Sequence, residues 1–179
     1  RIKRAASIMY TPPIQDQKFI IEHLIGIDSI IASQNGDLQN QDVIDAELVW
    51  SILDEAGKFA STVLAPLNHS GDKQNSKITQ DGDVITPDGF KEAYQAMCDS
   101  GWTTLEARRE WGGQEMPMSI SAAVCEMWHS ANMSFALCHL LSQGQIYALQ
   151  KSASNEQKRT YLPNLVSGKW TGTMNLTEP

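Results

Sequence analysis

Apolar residues recur every three or four positions through most of the chain, the spacing that lines one face of an α-helix. In the clearest run, Ile44, Leu48, Trp50, Ile52, Ala56, Phe59, Val63 and Leu64 follow Asp42 at that spacing. It predicts a core helix that stops at Pro66, because proline has no amide hydrogen to donate and crowds the turn before it. Phe19, Ile20, Leu24, Ile27 and Ile31 predict an earlier helix capped by Asp16 and weakened in the middle by Gly26. Phe90, Ala93, Tyr94 and Met97 predict a short helix from about Asp88 to Gly101. Ile120, Val124, Met127, Trp128 and Ala131 predict another, opened by Pro117 or Ser119. After Asn132 the pattern resumes with Phe135, Cys138, Leu141, Ile146 and Leu149, and Gly144 is expected to interrupt it.

Two stretches change period. Lys77-Ile78-Thr79 and Val84-Ile85-Thr86 flank Asp81-Gly82, which predicts a small hairpin inside an otherwise polar loop. Near the end, Trp170, Gly172, Met174 and Leu176 alternate with Thr171, Thr173, Asn175 and Thr177, the two-residue repeat of a strand. Ahead of it, Ser154 with Gln157 three residues on forms a capping-box signature for a helix to about Leu162, stopped by Pro163 and Gly168. At the other end, Tyr10-Thr11-Pro12-Pro13 must lie extended. The predicted class is all-α: a bundle of about six helices, with the first strand of a following β-domain at the C-terminus. The segments are 1–15, extended; 16–168, helical; and 169–179, the start of the next domain.

Composition narrows the functional classes. In 179 residues, 41% are hydrophobic and 20% charged, which is ordinary for a globular domain. A formal charge of −7 with only 14 scattered Lys and Arg disfavours a nucleic-acid partner. No run approaches the roughly twenty apolar residues of a membrane span. Cys98, Cys125 and Cys138 are odd in number and fall in helical segments, so free buried thiols in a reducing, cytoplasmic setting are expected. The basic start, Arg1, Lys3 and Arg4, reads as part of a targeting sequence or as residues foreign to a natural start, since the first Met is Met9.

The residues alone assemble no catalytic set. Cys125 and His129 share a helix face, but Cys138 and His139 point about 100° apart, so a zinc site is disfavoured and packing preferred. Asp81, Asp83 and Glu92 match part of a calcium loop, but Ile85 and Thr86 stand where a ligand and a glycine are needed. Glu106 with Glu110, and Asp54 with Glu55, sit among Arg, Lys or polar residues and read as solvated ion pairs. His23 and His69 are isolated, and no metal site is expected. The glycine pair after Trp111, Gly112-Gly113, is expected to make a tight left-handed turn with close backbone packing.

Several motifs stand in a telling order: Gly101-Trp102, Trp111-Gly112-Gly113, Glu126, Gly144-Gln145, Glu156-Gln157-Lys158, Tyr161-Leu162-Pro163, Gly168 and Thr177-Glu178-Pro179. From about Asp42 onward this resembles the acyl-CoA dehydrogenase family, in which an all-helical N-terminal domain leads into a flavin-holding β-domain. The start, with Tyr10 to Pro13, Asp16 and Phe19, looks like the N-terminal extension of a bacterial branch that includes methylmercaptopropionyl-CoA enzymes. The resemblance implies FAD, an acyl-CoA substrate oxidised to the 2,3-enoyl thioester, and a place in fatty acid metabolism. It also implies an electron-transfer flavoprotein as acceptor, a homo-oligomer, and a glutamate base in a C-terminal domain that this chain lacks. By position, Met174, Leu176 and Thr177 match flavin-contacting residues, and Phe135, Cys138 and His139 match the tail of the acyl pocket, with core packing the alternative for Phe135 and Cys138. His139, facing an apolar tunnel, would need a partner or limit chain length. The chain alone is expected to be inactive. The rival readings are a free-standing helical interaction module without flavin and a piece of an acyl-CoA oxidase.

Overall fold

The computed structural model describes residues 10–35 and 44–174. Its helices are α1 (Ile14–Phe19), α2 (Ile27–Asn35), α3 (Ala46–Phe59), α4 (Ala65–Gln74), α5 (Phe90–Asp99), α6 (Met118–Ala131), α7 (Met133–Ser152) and α8 (Asn155–Val166). A single small hairpin among the described residues pairs β1 (Lys77–Ile78) with β2 (Val84–Ile85), antiparallel, with Lys77 opposite Ile85. The architecture is the expected all-α one, and the hairpin falls where the alternation placed it.

The long core helix begins later than expected, and Asp42 lies outside the described residues. Asp45 caps α3 instead, its carboxylate accepting from the Leu48 amide at 2.8 Å. Nor does this helix stop at Pro66. A π-turn over Ala60–Leu64 widens the backbone just before the proline, and the rod runs on as α4 to Gln74 with Pro66 in its first turn. There the missing amide hydrogen is no loss, because the first turn of a helix has no partner for it. The Leu64 carbonyl, at the end of the π-turn, also accepts from Asn132 Nδ2 at 3.2 Å.

The earlier helix differs in the opposite sense. It starts at Ile14, with Asp16 inside the first turn rather than at the cap. Gly26 ends it outright, at φ +85°, after a π-turn over Ile20–Ile25. Among the described residues eight α-helices stand against the roughly six expected, since α2 is a separate element and α4 follows the π-turn. Residues 10–13 cross α3 where Gly57 has no side chain, and Pro12 and Ile14 occupy that space. Gln17, 4% exposed, fastens α1 to α6: its Nε2 donates to Ala123 O at 2.9 Å and to Glu126 Oε2 at 2.8 Å.

Most of the core lies between α3 and α6. Val49, Leu53, Ala56 and Leu64 meet Ile120, Val124, Met127 and Trp128, all of them fully buried or nearly so. A second apolar cluster joins Ala107 and Ile146 to Leu162, Leu165 and Val166. That cluster carries α8 through Pro163 to Val166, four residues past the expected stop. Burying Leu162, Leu165 and Val166, at about 1.5–3 kcal/mol each, outweighs a helical proline penalty of about 3 kcal/mol. The Ser154–Gln157 capping box is present in both directions. Gly144 does not interrupt α7, which passes through it unbroken.

Trp111-Gly112-Gly113 turns as expected. Gly112 takes φ +88°, and Gly113 lies so close to the Ala107 carbonyl that any Cβ would overlap it. At the C-terminal end, residues 171–174 follow an irregular path with no strand pairing among the described residues. A strand takes its hydrogen bonds from a neighbouring strand, and none is described beside it. No helix among the described residues is long and apolar enough to cross a membrane.

Candidate functional site: an apolar groove beside a clasped segment

A groove of about 700 Å³ lies between α4, the end of the hairpin, α5 and the first turns of α7. Its walls include Phe90, Tyr94, Phe135, Leu137, Cys138 and Thr171. The start of α7 is what aims these side chains. Asn132, wholly buried, accepts from the Phe135 amide at 3.1 Å and from Ser134 Oγ at 2.9 Å, which fixes the first turn of the helix. Phe135 then meets Phe90 of α5 edge-to-face, with ring centroids 5.9 Å apart. Cys138, expected to be buried, lies exposed one turn on, at the groove wall.

His139 is not with them. Its side chain turns into the core, 4% exposed, with its ring 5.4 Å from that of Trp128. Trp128 in turn packs edge-to-face on Phe59 and Trp102. Burial, and then the neighbouring charge of His129, hold the His139 imidazole down at about 4, so it is neutral at physiological pH. The structure thus brings Phe135 and Cys138 to the groove and turns His139, on the same inward stripe as Phe135, into the core.

The segment after α8 is held from two helices. Gly168 ends the helix at φ +75°, and its carbonyl accepts from Tyr94 Oη at 2.9 Å. Four residues on, the Gly172 amide donates to Ser142 Oγ at 3.0 Å in a buried bond. Ser142 Oγ donates in turn to the Cys138 carbonyl at 3.0 Å, so both of its polar functions are used. A side chain at either glycine would collide, with Cys98 and Thr103 at Gly168 and with Gln145 at Gly172. Met174 follows, 53% exposed. Leu176 and Thr177 lie outside the described residues.

The other candidates resolve simply. No group of three or more metal-ligating side chains gathers among the described residues. His129 instead donates from Nδ1 to the Cys125 carbonyl of its own helix at 2.7 Å. Asp54 and Glu55 pair with Lys18 and Lys58, and Glu110 with Arg108, as expected of surface carboxylates. Glu106 departs from that picture, being half-buried with its carboxyl raised by burial. All three cysteines are free; Cys98 and Cys125 are half-buried, and burial pushes the Cys125 thiol up to about 12. Sequence reasoning missed Tyr94 and Ser142 as fasteners. The four-residue spacing of Gly168 and Gly172 was the available signal for close approach, but nothing local says which helices approach.

The fold and this site define a class: an all-helical domain that presents an apolar groove and feeds a clasped segment out beside it. Residues 50–169 match the family model described as acyl-CoA dehydrogenase, N-terminal domain. The chain is 40% identical over 170 residues to 3-methylmercaptopropionyl-CoA dehydrogenase of Ruegeria pomeroyi, covering 95% of this chain and 28% of that protein. It is 33% identical to a butyryl-CoA dehydrogenase of Syntrophomonas wolfei, covering 95% of this chain and 27% of the relative. A chain solved in work on the electron transferring flavoprotein of Acidaminococcus fermentans superposes with a TM-score of 0.59. At 19% identity, covering 78% of this chain and 34% of that one, it speaks for the fold alone. The chain belongs to the acyl-CoA dehydrogenase family and corresponds to its N-terminal domain. It spans 28% of the length of the first of these curated relatives and 27% of the second.

Proposed function

We propose that residues 16–168 are the helical domain of an FAD-dependent acyl-CoA dehydrogenase and that residues 169–179 lead into its β-domain. The enzyme oxidises an acyl-CoA to the 2,3-enoyl thioester, and this domain walls the acyl group and keeps water from the flavin edge. The observation that carries the reading is adjacency: the groove lined by Phe135 and Cys138 is also bounded by Thr171, three residues before Met174. An acyl tail against those walls and a ring at the clasped segment are then neighbours. Met174, exposed and unbranched, suits contact with the edge of a flat apolar ring; Leu176 and Thr177 are assigned to the same contact by their position in the sequence. FAD, when bound, supplies the hydride acceptor. No acid or base is assigned within the chain.

Met133, Leu137, Leu140 and Tyr147 form an exposed apolar stripe along α7. It is the surface on which the rest of such an enzyme packs. Electron-transfer flavoprotein as acceptor and a homo-oligomeric enzyme belong to the same reading. The test is anaerobic addition of short acyl-CoAs to the purified native protein that contains this chain. Bleaching of the flavin band near 450 nm is the expected result. A colourless protein would remove the dehydrogenase reading and favour a helical interaction module, and bleaching followed by rapid reoxidation in air would favour an oxidase.

A further inference from the structure

The clasp on the segment after α8 is stronger than its length requires. Side chains from two helices reach the backbone: Tyr94, and more weakly Cys98, of α5 at the Gly168 carbonyl and Ser142 of α7 at the Gly172 amide. Both glycines leave their neighbours no room for a side chain, so the segment lies flush on the helices. An irregular stretch normally satisfies its backbone with water. Here the Gly172 amide is buried and has one partner, the Ser142 hydroxyl, which is itself tied to the Cys138 carbonyl. The position of residues 172–174 is therefore set by α7, the helix that also carries Phe135 and Cys138 to the groove.

We infer that Ser142, supported by Tyr94, is a positioning residue for the flavin: it fixes the register and depth of the segment that carries Met174 to the ring. This rests on the reading that residues from Met174 onward edge the flavin. The wall of the acyl groove and the flavin edge are then referenced to one rigid helix, so that displacing one displaces the other.

Removing the hydroxyl leaves a buried amide without a partner. The segment then relieves the strain by lifting away, an effect of about tenfold in the affinity of whatever it holds. The experiment uses the intact enzyme that contains this domain, stripped of flavin and titrated with FAD, for wild type, Ser142→Ala, Ser142→Thr and Tyr94→Phe. Three quantities are read: the FAD dissociation constant, the visible circular dichroism of the bound flavin, and the urea midpoint of the apoenzyme. Ser142→Ala is expected to weaken FAD binding about tenfold and alter the flavin dichroism. Tyr94→Phe is expected to do the same more weakly. Ser142→Thr, which keeps the hydroxyl, is expected to return most of the affinity.

A wild-type enzyme that binds no FAD removes the reading beneath this proposal, and the proposal with it. A wild-type flavoprotein in which Ser142→Ala keeps the affinity and dichroism of the parent overturns the proposal alone. So does a Ser142→Ala apoenzyme with a lowered urea midpoint and unchanged flavin properties, because that pattern makes the serine a packing residue only.

Discussion

Replacing Asn132 by alanine tests how the two halves of the helical core are joined. Asn132 is fully buried between α6 and α7 and uses both ends of its amide. Oδ1 accepts from the Phe135 amide and from Ser134 Oγ, capping α7, while Nδ2 donates to the Leu64 carbonyl at the π-turn of the other long rod. Losing the cap costs about 1 kcal/mol. Losing the donor to the Leu64 carbonyl and opening a cavity where the buried amide packed adds about 1–3 kcal/mol. The expected total is about 2–4 kcal/mol, a large share of the stability of a domain this size. Urea unfolding of the 179-residue chain, followed by tryptophan fluorescence with Trp128 at the site, would move to lower midpoint by about 1–2 M for a slope of about 2 kcal/mol/M. Hydrogen exchange gives the local readout. Protection of the Phe135 amide should fall about 30-fold or more, the equivalent of about 2 kcal/mol. Asn132→Ser restores the capping oxygen without the donor, so it should recover about 1 kcal/mol. Asn132→Asp should stay below wild type, because it sets an oxygen against the Leu64 carbonyl. An alanine variant within 0.5 kcal/mol of wild type by urea, with the Phe135 amide still protected, would refute this account of the junction.

Three further outcomes are expected. Gly113→Ala must displace backbone at Ala107 and should lose about 2–4 kcal/mol in thermal or urea melts. Gly144→Ala, in mid-helix with nothing near its missing Cβ, should make the isolated chain more stable by about 0.5–1 kcal/mol; equal effects at the two sites would mean that backbone crowding is not the difference. His139 is depressed to about 4 in the fold by burial, so the unfolded chain takes up its proton first as pH falls below about 6.5. Its stabilising contribution is complete above that pH and lost on the way down to about 4, amounting to about 2 kcal/mol by pH 5. His139→Gln should flatten that part of the stability profile relative to wild type; an unchanged slope would place the histidine in solvent. A thiol reagent at pH 8 should label Cys138 first and Cys125 last, as their exposure and the raised Cys125 thiol dictate, and Cys138→Ser should remove the fast phase.

Periodicity alone placed α5, α6 and the body of α3, along with the hairpin about Asp81-Gly82, the capping box at Ser154 and the turn at Gly112-Gly113. All of these are local: a helical stripe, a turn dipeptide or a cap is decided by residues within a turn of one another. The motif order from Gly101-Trp102 to Thr177-Glu178-Pro179 likewise points to the family. The misjudged points have a common cause, which is that local signals were overruled by distant partners. Pro66 was absorbed by a π-turn that Asn132 braces from the far side of the core through the Leu64 carbonyl. Pro163 was carried through by burial of Leu162, Leu165 and Val166 against Ile146 and Ala107.

The functional face of α7 shows the limit most plainly. Met133, Phe135, Leu137, Cys138, Leu140, Ile146 and Tyr147 spread apolar side chains around the whole helix, so its sequence does not say which stripe faces inward. Packing of Phe135 and His139 in the main core and of Ile146 in the second cluster chose the inward stripe, and turned Cys138 and Leu137 out to the groove. A lone serine in an apolar helix carries no sign of its partner, and only the fold brings the Gly172 amide to it from thirty residues away. The sequence by itself determined α5, α6, the body of α3, the hairpin and the family. The tertiary structure alone decided which side of α7 meets the core and where the segment ahead of Met174 is held, because both depend on contacts between elements that no local pattern encodes.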